Sequence, residues 1–137
     1  MRVSLVPTEA VGDVWKDVER VLGKSVDTVK DKAELIDVLS GVYDDTYVLW
    51  VVMDESDNII AAFTTRLLVY PRRKALALDW VGGTRMKEWE DQLIGTMRKY
   101  ANELGCSHLE GYGRKGWGRS LKKYGFYQEY IAYRMEL

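Results

Sequence analysis

The stretch that decides the fold is residues 75–112, ALALDWVGGTRMKEWEDQLIGTMRKYANELGCSHLEGY. Ala75 to Val81 is apolar and reads as a strand, which Gly82-Gly83 ends. Met86, Trp89, Leu93, Met97, Tyr100, Ala101 and Leu104 then share one helical face, and Gly105 is a natural stop. His108 to Tyr112 makes a short second strand. A strand-helix-strand crossover of this kind favours parallel pairing.

Upstream, Tyr47 to Met53 (YVLWVVM) is short, apolar and rich in β-branched and aromatic residues, a buried strand. DESDN turns the chain, Ile59 to Tyr70 forms a longer strand, and Pro71 opens the next turn. With 75–81 these strands make an antiparallel meander. Arg2 to Val6 alternates as a strand and stops at Pro7. Val11, Val14, Trp15, Val18, Val21 and Leu22 predict a helix capped by Thr8 and ended by Gly23. A second helix is expected from about Thr28, with Leu35, Ile36, Leu39 and Val42 as its apolar stripe. Downstream, Lys115 to Tyr124 reads as a short basic helix ended by Gly125, and Phe126 to Leu137 as one or two final strands. The expected order is β-α-α-β-β-β-α-β-α-β(-β), an α+β (mixed α/β) chain with a central mixed sheet of six to seven strands. With no linker or repeat, residues 1–137 are expected to form a single domain.

Composition excludes several classes. The 137 residues are 47% hydrophobic and 30% charged, a globular mixture. No apolar run approaches the length of a bilayer span, and the N-terminus lacks the pattern of a signal peptide. An intracellular protein is expected, with no membrane association. One cysteine, Cys106, and one histidine, His108, leave no disulfide and no multi-histidine metal motif, so no metal site is expected.

Charge is unevenly spread. Residues 1–60 carry 13 acidic and 6 basic side chains, and residues 61–137 carry 8 and 14, so the halves stand at −7 and +6. Either the C-terminal half meets an anionic partner or the two halves attract each other within the fold. Arg114, Lys115, Arg119, Lys122 and Lys123 put five cations in ten residues with no acid, and Trp117 lies among them. The segment reads as a binding surface or as a solvated helix face. Balanced overall charge favours a protein partner over nucleic acid. An uncovered final strand and an exposed tryptophan permit a homo-oligomer.

Element order, together with the closing LKKYGFYQEYIAYRMEL, resembles the GNAT superfamily of acyl-CoA-dependent N-acyltransferases across nearly the whole chain. Gly125 and Phe126 match the Gly-Phe pair that precedes the family's last strand. The resemblance implies a donor pyrophosphate loop after the fourth strand, read in the family as Arg-Gly-x-Gly-x-Gly/Ala. Here it is Arg85-Met86-Lys87-Glu88-Trp89-Glu90. Arg85 fits, but Met86, Glu88 and Glu90 stand at the three small-residue positions. Gly82 and Gly83 offer an alternative anion nest, or they simply turn the chain. The family's general-acid tyrosine corresponds to Leu121, which leaves Tyr124 as the nearest hydroxyl.

Asp79 corresponds to the carboxylate that deprotonates the acceptor amine in many members. Its alternative reading is a buried pair with an arginine. His108, Glu110 and Tyr112 alternate onto one face of the neighbouring strand. GRKGW-type segments before the Gly-Phe pair are similar to those of compact GNAT-like proteins encoded beside virion genes in tailed bacteriophages.

The resulting expectation is a GNAT-fold protein with a degenerate acyl-CoA site. It would serve as a binding or assembly component and need no cofactor, in a bacterial cytoplasm or a virion. The alternative is an N-acetyltransferase using acetyl-CoA, with Asp79 as base.

Overall fold

The computed structural model describes residues 1–28, 31–113 and 117–137. Its elements are β1 (Arg2–Val6), a 3-10 turn (Thr8–Ala10), α1 (Val11–Asp27), α2 (Leu35–Tyr43), β2 (Val48–Met53), β3 (Ile59–Val69), β4 (Lys74–Gly83), α3 (Met86–Glu103), β5 (His108–Gly111) and α4 (Trp117–Lys122). The strands form one sheet in the order β1-β2-β3-β4-β5. The first four pair antiparallel, and β5 runs parallel to β4 with Ala77 opposite Glu110. The mixed α+β architecture is the one expected from residues 47–112.

Strand alternation splits the core into two layers. Leu49 and Val51 of β2 point to the α1–α2 side and pack with Val18, Leu22 and Val38. Trp50 and Val52 point to the other side, against Phe63, Leu76, Trp89 and Met97 beneath α3. Trp50 stacks on Phe63 with ring centroids 5.7 Å apart and meets Tyr100 edge-on at 5.0 Å. Its indole N–H donates to Thr65 Oγ1 at 3.0 Å, so the buried ring leaves no polar atom unpaired.

The helical hairpin differs from expectation. Gly23 does not end α1, which continues to Asp27. Val26 is fully buried there, and the Ser25 hydroxyl donates to the Val81 carbonyl at 2.8 Å. These tertiary contacts outweigh the roughly 1 kcal/mol that an interior glycine costs a helix. Thr28 does not cap the second helix; its hydroxyl donates back to the Ser25 carbonyl at the end of α1. Instead α2 starts at Leu35 under a capping box between Glu34 and Asp37. Ile36, expected in its apolar stripe, is exposed, and Val38, Gly41 and Val42 face the core.

The C-terminal segment differs most. The expected start of the last helix, Lys115, lies outside the described residues, and α4 spans Trp117–Lys122. Gly125 turns the chain at φ +89°, and residues 126–137 form no strand, leaving five strands among the described residues rather than six or seven. Among the described residues, no main-chain hydrogen bond between backbone groups involves 127–137. The segment's alternation alone does not make a strand, because its backbone groups meet no ladder partner among the described residues.

Candidate functional site

β4 is irregular where the candidate carboxylate sits. Its pairing with β3 shifts between Phe63 and Thr65, so Phe63 faces Val81 while Thr65 faces Leu78. Such a bulge re-aims side chains. Leu76, Leu78 and Val81 contribute to the α3 layer, whereas Trp80 joins the α1 layer.

At this bulge Arg66 of β3 clamps Asp79 through both carboxylate oxygens, at 2.9 and 3.0 Å. Asp79 keeps only 12% of its side chain exposed. The hydrogen bonds to Asp79 push the Arg66 pKa above its already high ordinary value. The Tyr47 and Tyr112 phenols also lie within electrostatic reach of that guanidinium. Tyr47 is held there by α2, where its ring packs over Gly41; a Cβ at Gly41 would lie 2.4 Å from it.

A second polar cluster lies along β5. Glu110 accepts hydrogen bonds from Tyr70 at 2.7 Å and Tyr112 at 3.1 Å. Its Oε2 also lies 2.8 Å from His108 Nε2. His108 Nδ1 is 2.8 Å from the Ser107 hydroxyl, and its ring lies nearly parallel to that of Tyr70. Burial alone would raise the Glu110 pKa, but the hydrogen bonds from Tyr70, His108 and Tyr112 together outweigh it and hold the carboxyl below its ordinary value. The hydrogen bond to Glu110, aided by burial, pushes Tyr70 up to about 12. Tyr112 rises too, through burial first and Glu110 second. The arrangement is two separate polar groups, the Arg66–Asp79 pair and the Glu110 cluster, with the Tyr112 phenol of the second within electrostatic reach of Arg66. The period-two pattern placed His108, Glu110 and Tyr112 together; Arg66, Tyr47 and Tyr70 join only through strand register and the packing of α2.

The start of α3, where a donor pyrophosphate would rest, is filled by the chain's own groups. Arg85 adopts a left-handed conformation, φ +59°, and donates to both oxygens of Glu88 at 2.6 and 2.9 Å. Asp54 and Glu55 approach the same guanidinium at 3.8 and 3.9 Å. Glu90 is buried and paired with Lys123, and Asp91 accepts a hydrogen bond from Tyr124. Burial and that bond push Tyr124 up to about 12, so its proton is held between α3 and the end of α4.

Gly82 and Gly83 are required by packing. A Cβ at Gly82 would lie 2.5 Å from the Val21 carbonyl oxygen of α1, and one at Gly83 2.4 Å from Ala61 Cβ. The Thr84 amide is spent on the Ile60 carbonyl at 3.0 Å. The residues present therefore do not fit a pyrophosphate loop of the family's kind.

Of the expected basic surface, Arg114 and Lys115 lie outside the described residues. Trp117 is half-buried rather than exposed, with its indole against the Gly113 position, while Arg119 and Lys122 are exposed. Among the described residues no group of three or more His, Cys, Asp or Glu is placed to hold a metal ion. No helix among them is long and apolar enough to cross a membrane.

Sequence comparison matches the chain to no family model and to no curated protein. Structure comparison does find neighbours. A crystal structure of a probable acetyltransferase superposes with a TM-score of 0.76 at 11% identity, covering 100% of this chain and 98% of that one. A ribosomal-protein-alanine N-acetyltransferase from Brucella melitensis biovar Abortus 2308 gives 0.72 at 11% identity, with 100% of both chains covered. A GNAT family acetyltransferase from Staphylococcus aureus gives 0.69 at 12%, covering 99% and 98%. Such identities speak to architecture alone, and from β1 to α4 the architecture follows the element order read from the residues: this chain has the GNAT fold.

Proposed function

We propose that this chain is a GNAT-fold binding or assembly component whose donor site is closed by its own side chains. The observation that carries the reading is the start of α3. Arg85 is bound to Glu88, and Lys123 to Glu90, so these two cations near the helix end already have carboxylate partners. A diphosphate placed there would have to displace Glu88 from Arg85 and Glu90 from Lys123. A helix N-terminus returns only about 0.3–1 kcal/mol to an anion at an exposed site, so the helix dipole alone offers little in exchange. A protein partner with an acidic face suits the exposed Arg119 and Lys122 of α4. The virion or morphogenesis setting implied by the GRKGW-type segment accords with that role.

The test is a thermal-shift titration with acetyl-CoA and CoA. A ligand at 100 times its dissociation constant stabilises the native state by about 2.7 kcal/mol. The reading expects no shift at millimolar coenzyme, and a saturable stoichiometric shift overturns it. Double charge reversal at Arg119 and Lys122 should weaken capture of the partner, and retained capture removes α4 from the interface.

A second reading, an acetyl-CoA-dependent N-acyltransferase, is favoured by the polar groups around Asp79 and by the acetyltransferase names of the structural neighbours. In it, Asp79 takes a proton from an amine after releasing one oxygen from Arg66. Asp79→Asn should then lower the rate about a hundredfold, and an unchanged rate discards the assignment.

A further inference from the structure

Where β5 begins, three side chains stand in line. Ser107 Oγ lies 2.8 Å from His108 Nδ1, and on the other side of the same ring His108 Nε2 lies 2.8 Å from Glu110 Oε2. Hydroxyl, imidazole and carboxylate in that order, at hydrogen-bond spacing, are the parts that activate a serine for nucleophilic attack. None of the three belongs to the filled start of α3 or to the Arg66–Asp79 clamp.

The proton positions follow from the carboxylate. Glu110, kept below its ordinary pKa against its burial by the hydrogen bonds described above, is ionised at neutral pH and can only accept. His108 Nε2 therefore carries the ring proton, and in the neutral imidazole Nδ1 is the acceptor that faces Ser107. The Ser107 hydroxyl has a second acceptor in reach, the Lys74 carbonyl at 3.2 Å, but that oxygen already receives the Ser107 amide at 2.8 Å. The shorter contact, to Nδ1, takes the hydroxyl proton. Tyr70 steadies the carboxylate by donating to Glu110 at 2.7 Å, and its ring lies nearly parallel to the imidazole.

The reactive end points outward. Ser107 is exposed and His108 keeps 32% of its side chain accessible, whereas Glu110 keeps 9%. The backbone sets the substrate class. The Cys106 and Ser107 amides already donate to the Ala101 and Lys74 carbonyls, so neither is free to receive a developing oxyanion. Lacking such a donor costs about 10²–10³ in rate. The Lys74 ammonium, 3.5 Å from where a Cβ on Gly105 would stand, brings a cation to the same turn. Such a site suits an ester whose leaving group departs as a stable anion, and not a peptide bond.

We propose that Ser107 is a nucleophile that takes the acyl group of activated esters such as aryl esters, with His108 as its general base and Glu110 as the positioning residue. The Oγ–carbonyl carbon bond forms as the hydroxyl proton passes to Nδ1. The carbon–oxygen bond to the leaving group then breaks, and the phenolate departs with the bonding pair. Nδ1 releases its proton to water, leaving an ester on Ser107. A water that gives its proton to Nδ1 attacks that ester, the carboxylic acid departs, and Nδ1 returns the proton to Oγ. No coenzyme takes part, so the activity stands or falls apart from the donor-site reading.

The probe is p-nitrophenyl acetate with the full chain. Phenolate release should be accompanied by an acetyl group on the peptide that contains Ser107, read by mass spectrometry. Ser107→Ala changes an exposed side chain, so the fold should be retained by circular dichroism, and the release should fall at least about tenfold. His108→Gln should lower it about a hundredfold. Release that persists in Ser107→Ala but stops in His108→Gln makes the imidazole itself the nucleophile and overturns the proposal, as does acetyl found only on lysines or tyrosines. Glu110→Gln should lower kcat at least about tenfold with KM unchanged, and imidazole nitrogen NMR should show that the single Nε2–H tautomer of His108 is lost. An unchanged kcat and tautomer overturn the role of Glu110.

Discussion

Arg85 and Glu88 face each other across the first turn of α3, joined by two hydrogen bonds of 2.6 and 2.9 Å. The pair holds Glu88 below its ordinary carboxylate pKa, through the hydrogen bonds from Arg85, and commits the nearest arginine to an internal partner. Removing both carboxylates that hold cations at this helix end should open the site. Glu88→Gln with Glu90→Gln retains helix propensity while freeing Arg85 and Lys123. Affinity for CoA by isothermal calorimetry should rise at least about tenfold, equivalent to 1.4 kcal/mol. An affinity equal to that of the unaltered chain means that the carboxylates are not what closes the site.

The Arg66–Asp79 clamp makes a separate prediction. Asp79→Asn leaves a guanidinium facing a neutral amide, and charge-assisted bonds of this type contribute about 1.5–3 kcal/mol when buried. Arg66 retains 34% of its side-chain exposure, so solvent screening reduces the expected loss to about 1–2 kcal/mol in urea unfolding. Arg66→Met combined with Asp79→Leu should recover much of it, because neither charge is then left alone. A single Asp79→Asn variant as stable as the parent would show that the clamp does not hold β3 to β4.

What could be read from residues alone follows how local each cause is. Tyr47–Met53, Ile59–Val69 and the helix at 86–103 carry dense apolar patterns, and their elements formed within one or two residues of expectation. Gly23 misled because the forces carrying α1 past it, Val26 burial and the Ser25–Val81 bond, come from residues far away in the chain. The polar site was half legible. Alternation on β5 grouped His108, Glu110 and Tyr112, but Tyr70 reaches Glu110 across 40 positions and Arg66 reaches Asp79 through strand register. The tail was over-read for a related reason: alternation states what a segment can pair as, not whether its backbone meets a partner.

The Glu110 cluster predicts loss of stability at both ends of the pH range. A carboxyl whose folded pKa lies below its ordinary value near 4.5 stabilises above that value and loses the contribution as pH falls through the folded pKa. Tyr70, raised from 10.0 to about 12, favours the fold below pH 10 and loses its contribution as pH climbs towards 12. His108, Tyr70 and Tyr112 are the groups that face the carboxylate. Glu110→Gln should therefore lower the melting temperature near neutrality and show a flatter dependence at both extremes. Melting curves between about pH 6 and pH 3 check the acid arm. Parallel profiles for the two chains over that range would remove Glu110 as a source of acid sensitivity.

Two glycines should respond to alanine with opposite sign. Gly23 lies inside α1 with open space around its Cβ direction, so Gly23→Ala should stabilise by about 0.5–1 kcal/mol. Gly82 lies where β4 crosses α1, and a methyl there would meet the Val21 carbonyl oxygen at 2.5 Å and Leu22 Cα at 3.2 Å. Those are backbone atoms, which cannot turn aside as a side chain would. Gly82→Ala should therefore cost about 1–3 kcal/mol, with the helix displaced from the sheet. For a domain of this size each kcal/mol moves the melting temperature by about 2–5 °C, so calorimetry separates the two variants clearly. If Gly82→Ala melts with the parent, then α1 does not sit on β4 at this spacing, and the need for glycine beside the donor loop must come from something other than the helix.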